Sequence, residues 1–279
     1  MVEPSIYVEA RRVLLDGLGA LEPHLAAVTL VGAQAIYLRV GEADLAVAPT
    51  TTDGDLALDP AALKDSPALE RLMGEGGFER KRGTDGKPLV GLWVRREDVA
   101  RGARVSVDLL VPEEAASPAG RRAARLDGHE TGSVLKVPGL EACLVDADVM
   151  RVASLELEDE RAFDIRVAGP AALVIAKVHK IGDRALQAHR AEDKDALDVW
   201  RLLRGTPPEE FRRRLDVLRG DDRSAACTQR GLALFQRLFG ERDGTGVLMA
   251  IRATERLAAP EEVSASLTAI AASAVFRAG

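Results

Sequence analysis

The sequence predicts an α/β (α+β) protein: a mixed sheet with flanking helices over residues 1–168, then a largely helical domain over residues 169–279. Three observations carry this. LVGAQAIYL passes at Gly32 from a short buried strand, Val28 to Val31, into a helix through Ala33, Ala35, Ile36 and Leu38. RVSVDLLVP alternates Val105, Val107, Leu109 and Val111 with Ser106, Asp108 and Leu110, the period of a strand with one core face. From Thr206 onward the pattern is helical, in EEFRRRLDVL, SAACTQRGLALFQRLF and PEEVSASLTAIAASAVF.

The remaining elements follow in order. Residues 5–20 space Ile6, Val13, Leu14, Leu18 and Leu21 as a leading helix on the sheet. TTTDGDLALD contains a strand, and Pro60 then suits the first turn of a helix running through Leu63, Leu69 and Leu72 to Gly74. TDGKP reads as the turn of a hairpin between Phe78–Arg82 and Leu89–Val94. Residues 113–132, rich in Ala, Gly, Arg and Glu, read as a loop or lid, and residues 133–167 as two or three short strands, with SLELEDERAFDIRV a hairpin. Pro170 starts a helix to about residue 188, with Val174, Val178, Ile181 and Ala185 as its apolar stripe. AEDKDALDVWRLL is a further helix, with Ala196, Leu197, Trp200 and Leu203 inward.

A chain of 279 residues is long enough for two compact domains. Its formal net charge of −6 excludes a general nucleic-acid coat but allows a local basic surface. There is no apolar run of the length that spans a membrane, and MVEPSIYVEARRVLL lacks the basic start and apolar centre of a signal peptide. Both point to a cytoplasmic protein without a membrane partner. Cys143 and Cys227 stand far apart and read as small core residues. His24, His129, His179 and His189 have no zinc-ligand spacing with them, and no serine or cysteine sits in a nucleophile motif.

The chemistry concentrates at Thr50–Asp59. Asp53 and Asp55 are two apart on a strand, so they share a face, roughly 7 Å apart along the backbone. Leu56 and Leu58 point the other way, into the core. Two like charges side by side repel unless neutralised, and hard carboxylate oxygens suit Mg2+; the alternative is a pair of surface acids at a turn. Gly32 lets a backbone approach closely, and the helix it opens favours an anion such as phosphate. Asp108, on a second strand, supplies a third carboxylate of the kind that two-metal phosphoryl-transfer sites use.

A second group lies downstream. Lys177, Lys180 and Arg184 share a helix flank and suit a triphosphate, unless they form a solvated edge. Asp195 and Asp198 are three apart on the next helix and share its face. Asp195 either pairs with Lys177 or Arg184, orients a nucleophile, or stabilises the helix start with Glu192 and Asp193. Between Arg201 and Arg242, ten arginines stand against six acids, as a nucleic-acid shelf or a solvated helix face.

A glycine-led helix, a T-x-D-x-D strand at Thr51–Asp55, an h-D-h strand at Asp108, and a lysine-bearing helix followed by Lys194-Asp195 and Asp198 resemble, in this order, the AbiEii/MenT group of nucleotidyltransferase toxins in the DNA polymerase β superfamily. The resemblance covers roughly residues 28–204. It implies a nucleotidyltransferase sheet with Asp53, Asp55 and Asp108 as ligands of Mg2+ (or Mn2+), and catalytic roles for these three with Lys177 and Asp195. Nucleotide contacts fall to Gly32, Ala33, Thr51, Thr52, Lys177, Lys180, Arg184 and Asp198. It further implies an NTP substrate, an RNA (tRNA) acceptor and a cognate antitoxin protein as partner. The chain departs from the family pattern in having Gly32-Ala33 in place of Gly-Ser, and Ala48-Pro49 where a basic residue is frequent. Two other readings stay open: a transferase acting on a protein or small molecule, and a catalytically silent nucleotide-binding or antitoxin-like module.

Overall fold

The computed structural model describes residues 6–41, 51–100, 102–115, 117–118, 122–185, 193–254 and 258–273. Helix α1 (Ile6–Ala20) and a 3-10 turn (Glu22–Ala27) lead into β1 (Val28–Val31), α2 (Gly32–Val40), β2 (Asp53–Leu58) and α3 (Leu69–Glu75). The hairpin β3 (Phe78–Arg82) and β4 (Pro88–Arg95), the short α4 (Arg96–Val99) and β5 (Ser106–Pro112) follow. Next come β6 (Ser117–Pro118), β7 (Ala124–Arg125), β8 (Leu135–Val137), α5 (Glu141–Val145), β9 (Ala147–Ala153) and β10 (Ala162–Ala168). The chain ends in α6 (Pro170–Ala185), α7 (Asp193–Gly205), α8 (Pro208–Gly220), α9 (Ala225–Phe239), α10 (Thr245–Ala253) and α11 (Pro260–Ala272). No helix among the described residues is long and apolar enough to cross a membrane.

Among the described residues, eight strands form one mixed sheet in the order β3-β4-β5-β2-β1-β10-β9, with β8 also paired to β5. β1 is antiparallel to β2 and parallel to β10, and β2 is parallel to β5. β4 pairs with β5 at Leu92 and Trp93, while β8 takes the same edge of β5 at Leu110 to Pro112. Gly91 marks where one partner gives way to the other. Its φ is +72°, and a side chain there would meet the Leu135 nitrogen and the Leu109 carbonyl at 2.6 and 2.7 Å.

Helix α1 covers the face of this sheet that carries Gly54 and Val107, paired in register on β2 and β5. A Cβ on Gly54 would stand 3.0 Å from Leu14 Cδ1, and one on Gly17 would stand 3.0 Å from Val107 Cγ2, so glycines set how closely helix and sheet approach. Leu14, Leu18, Leu56, Leu58 and Val107 are fully buried. Burying each stabilises the fold by ~1.5–3 kcal/mol before entropy is counted. Alternation puts Asp53, Asp55 and Asp108 on the opposite face.

The chain divides into two compact units, one of Met1–Ala35, Pro49–Val137 and Ala147–Val167, the other of Ile36–Ala48, Pro138–Asp146 and Ala168–Gly279. The second unit combines its last segment, from Ala168, with two earlier segments. In that unit Gly205 meets Val40 and the Arg201 guanidinium lies over the Tyr37 ring, 5.5 Å from its centroid. Asp146 caps the start of α6: its carboxylate accepts the Ala172 N–H at 3.1 Å and pairs with Arg214 at 2.7 Å. A side chain on Gly169 would fill the carboxylate's place, 2.1 Å from Asp146 Oδ1.

Several expectations need correction. The helix expected from Pro60 begins only at Leu69; residues 59–67 form turns, with Asp59 accepting the Ala61 N–H through its side chain. SLELEDERAFDIRV supplies the turn and second arm of a hairpin whose first arm is β9, upstream of it. Helix α10 was not among the expected segments. In α7, Leu202 is buried and Leu203 only half-buried, because α7 is covered nearly all round from Asp195 to Leu202. Ala48, Pro49 and residues 186–188 lie outside the described residues.

Candidate functional site: facing carboxylates and a buried ion cluster

The first unit gathers Asp55 and Asp108. They lie opposite each other in the parallel register of β2 and β5, one step beyond the pair Asp53 and Ser106 in the same-face row. Ser106 donates a hydrogen bond to Asp108 Oδ1 at 2.9 Å. Burial, then the charge of Asp55, pushes the Asp108 carboxyl up to about 8, with Asp53 adding to the rise; the Ser106 hydroxyl and the Lys81 ammonium oppose it. The sheet therefore holds charge in excess on this face, and a proton is retained near neutrality to relieve it.

Gly32 sits directly against this pair. β1 ends at Val31, which is opposite Asp55, and the chain turns into α2 with Gly32 at φ +66°. A Cβ on Gly32 would lie 1.8 Å from Asp55 Oδ2. The close approach that glycine permits is therefore that of the Asp55 carboxylate to the start of α2, where a negative charge is stabilised. Ala33 is buried. Thr51 is buried and its hydroxyl serves the Asp53 backbone, at 3.4 Å from both N–H and carbonyl. Exposed Thr52 donates to Asp53 Oδ1 at 2.5 Å.

Residues outside the recognised motifs hold this strand. Buried Arg11 donates to Gln34 Oε1 at 2.8 Å, to the Ala153 carbonyl at 2.9 Å and to the Tyr7 hydroxyl at 3.0 Å. Gln34 in turn donates to the carbonyls of Ala10 at 3.1 Å and Asp53 at 3.2 Å. Arg11 and Gln34 thus tie α1, α2 and the start of β2 together. Their only sequence signal is a polar residue on an apolar helix face.

In the second unit, Lys177, Lys180, Arg184, Asp195 and Asp198 come together, with Arg201 as an unforeseen sixth member. The Lys177 ammonium donates to Asp195 Oδ1 at 2.7 Å and Asp198 Oδ2 at 2.8 Å. Lys180 and Arg184 reach Asp195 at 3.1 and 3.2 Å, and Arg201 reaches Asp198 at 3.3 Å. Burial opposes the charge on Lys177, but Asp198 and Asp195 outweigh it and hold its pKa above the ordinary lysine value. Burial likewise opposes ionisation of Asp195 and is outweighed by Lys177 and Lys180, so its pKa is held down. The Lys177 side chain is 8% exposed, whereas those of Lys180 and Arg184 are 37% and 23% exposed. Lys177 is thus committed to two carboxylates, while the Lys180 and Arg184 side chains, also paired with Asp195, are the more exposed.

In the arginine-rich segment, cations at both buried and exposed positions are ion-paired. Arg201, Arg204, Arg212, Arg214, Arg219 and Arg223 each pair with a carboxylate of their own unit. Cys143 and Cys227 are buried free thiols, as core residues should be, and burial raises the pKa of both.

Among the described residues, no group of three or more His, Cys, Asp or Glu side chains is drawn to a spacing that would hold a metal ion. The donor chemistry of Asp55 and Asp108 still fits a hard divalent cation: two facing carboxylates, with oxygen ligands only and a crowding of charge that a cation would relieve. Comparison with known protein families returns no match, and neither does comparison with curated proteins.

Proposed function

We propose that the protein is a metal-dependent nucleotidyltransferase, moving NMP from an NTP to an acceptor hydroxyl. The observation that carries the reading is the meeting of Asp55 and Asp108 at one register position, with Gly32 pressed against Asp55. Such a pair of ionisable groups, crowded on an otherwise well-packed sheet, costs stability and so suggests a role in chemistry.

In this reading Asp55 and Asp108 would hold Mg2+ or Mn2+, which when bound would neutralise charge on the phosphoryl oxygens. With a cation bound in place of the retained proton, Asp108 would be ionised and would take the proton of the acceptor hydroxyl as the acceptor oxygen attacks the α-phosphorus. A new acceptor–phosphorus bond forms, the bond from the α-phosphorus to the bridging oxygen breaks, and pyrophosphate leaves with the electron pair. Ser106 keeps Asp108 oriented through the transfer. Thr52 and the Arg11–Gln34 link hold Asp53 and its strand in register.

The resemblance extends the proposal to RNA, with tRNA ends the precedent, as acceptor, and to a toxin or abortive-infection role with a separately encoded antitoxin. The test is transfer of label from each of the four NTPs, with Mg2+ or Mn2+, to bulk RNA, protein and small molecules. Label on RNA supports the full proposal; label only on protein or a small molecule keeps the enzyme class and changes the acceptor. A second reading, a silent nucleotide-binding module, is favoured by the first motif, which has Gly32-Ala33 where the family pattern has Gly-Ser. Calorimetry showing NTP binding without any transfer would select it.

A further inference from the structure

We propose that His24 and His129 form a clasp that is closed at neutral pH and opens in acid. It fastens residues 64–69, which run from the turns after β2 to the start of α3, to the turn at residues 126–133. All of these belong to the first unit. The inference does not depend on the nucleotidyltransferase reading.

Each ring is held by groups that fix its proton. His24, in the 3-10 turn, lies 2.7 Å through Nε2 from the Pro67 carbonyl, and His129 lies 3.0 Å through Nε2 from the Lys64 carbonyl. A carbonyl oxygen only accepts, so in both rings Nε2 carries the proton and donates. His129 Nδ1 accepts the N–H of Leu69, the first residue of α3, at 3.1 Å. His24 is 2% exposed, and its Nδ1 is buried with no hydrogen-bond partner among the described residues. The two rings meet edge to face, their centroids 5.8 Å apart.

This arrangement favours two neutral imidazoles. A second proton on His129 would sit on Nδ1 and displace the Leu69 N–H, and a second proton on His24 would enter a buried position with no acceptor. Two imidazolium rings at this separation would also repel. The charged groups that act on His129 are His24 from the 3-10 turn, Asp65 from the turns after β2, and Glu70 from α3. Its chain neighbour Glu130 is paired with Arg80 of β3 at 2.9 Å. Burial, with His24 beside it, holds the His129 pKa below the ordinary histidine value, against the Lys64 carbonyl, Glu70 and Asp65. The open segments therefore bind a proton near pH 6.5 that the closed clasp refuses. Closure is favoured above that pH and lost as pH falls below it.

The fastened turn is tied into the sheet. Gly128 has φ +77°, and a Cβ there would stand 1.9 Å from the Asp65 carbonyl oxygen, so the turn is pressed onto the segment it joins. Glu70 Oε2 accepts the Glu130 N–H at 3.0 Å and the Ser133 hydroxyl at 3.2 Å. The Ser133 carbonyl accepts the Trp93 indole N–H at 3.0 Å, and the Gly132 carbonyl accepts the Gly91 N–H at 3.0 Å. Just beyond Ser133 comes β8, which pairs with β5 from Leu110 onward, past Asp108. Acid thus loosens the end of the stretch that the sequence marks as loop or lid, residues 113–132, and the run from it into β8.

The experiment follows amide hydrogen exchange of the full chain by mass spectrometry at about pH 7.5 and about pH 5.5, corrected for intrinsic exchange. It compares the parent, His129→Asn, and His129→Asn combined with His24→Gln. Neither amide titrates; the first keeps an acceptor for the Leu69 N–H and the second a donor for the Pro67 carbonyl. In the parent, opening of residues 60–69 and 126–133 should rise about tenfold at the lower pH for each histidine that takes up a proton. Residues 53–58 should not change. His129→Asn should reduce the rise and the double variant should abolish it. Asp108 moves global stability the other way over this range, so local exchange is the readout, not melting. Long-range 1H–15N spectra of the parent should show both rings protonated on Nε2 at the higher pH. The proposal is overturned by equal protection of both segments at the two pH values, by a rise that persists in the double variant, by a rise shared with residues 53–58, or by a His129 protonated on Nδ1 at the higher pH. The parent's exchange and spectra decide the question even if a variant does not fold.

Discussion

At the scale of single residues, Gly32 and Lys177 each do something other than the motif alone suggests. The space that Gly32 leaves is filled by Asp55, so Gly32→Ala has two costs: a side chain at φ +66° and a methyl carbon 1.8 Å from a carboxylate oxygen. We expect that variant to lose ~2 kcal/mol or more, read by urea denaturation, and to lose transfer as Asp55 is displaced. Asp55→Asn should abolish transfer of labelled nucleotide while melting at the parent's temperature or above, because the amide removes one of two facing charges. Transfer at the parent's rate by Asp55→Asn would end the nucleotidyltransferase reading. Lys177→Ala leaves Asp195 and Asp198 buried without their central cation, and removing one partner of a buried ion pair costs about 3–5 kcal/mol. Its loss should therefore appear as a lower urea midpoint. Lys180→Ala and Arg184→Ala should instead keep the urea midpoint nearer the parent's, since both side chains are partly exposed and Lys177 remains on Asp195.

At the scale of elements, β2 is bound on both faces for different reasons. One face packs on α1 through Gly54, and the other presents Asp53 and Asp55. Gly54→Ala would put a methyl 3.0 Å from Leu14 Cδ1 and 3.1 Å from Leu14 Cβ. Overpacking of this kind costs typically 1–3 kcal/mol. We expect a loss in that range by urea denaturation, offset in part by Leu14→Ala in the same chain, because the two share one space. The alternation of RVSVDLLVP and the glycine-led switch at Gly32 were legible as strand and strand-to-helix turn, since periods of 2 and 3.6 are written locally. The Pro60 helix was misread: Pro at a first turn permits a helix but does not enforce one. The hairpin arm in β9 was misplaced because only pairing partners, remote in sequence, decide where a strand begins.

At the scale of the whole molecule, opposed ionisations set the dependence of stability on pH. The folded Asp108 titrates at about 8, far above the unfolded value near 4. Between those values the unfolded chain releases a proton that the folded one keeps, so stability falls as pH rises from about 4 to about 8, by a few kcal/mol. Asp195 is depressed, so its contribution is present above about pH 4 and lost as pH falls below that. Lys177 is raised, so its contribution is present below about pH 10.5 and lost above it. Stability should accordingly peak on the acid side of neutrality, fall to about pH 8, level, and fall again above 10.5. Urea denaturation across pH should show this shape in the parent, and Asp108→Asn should flatten the fall between pH 4 and pH 8. An unchanged slope in Asp108→Asn would mean that another group carries it.

The sequence by itself determined the α/β order, the sheet and helical regions, and the shared face of Asp53 and Asp55, and it left Lys177 as one of several partners for Asp195. These follow from side-chain period and helical spacing, which are local. Tertiary structure alone decided that Asp108 faces Asp55 in register, that Gly32 accommodates a carboxylate, and that Arg11 and Gln34 brace the acidic strand. It also decided that the pairing of β3 with β4 is irregular at Lys81. The contacts of Asp55 with Asp108, of Gly32 with Asp55 and of Arg11 with Gln34 join residues 23 or more apart in the sequence. A linear pattern carries no record of which strands become neighbours, of register, or of which cations already have partners, because packing settles those after the local elements have formed.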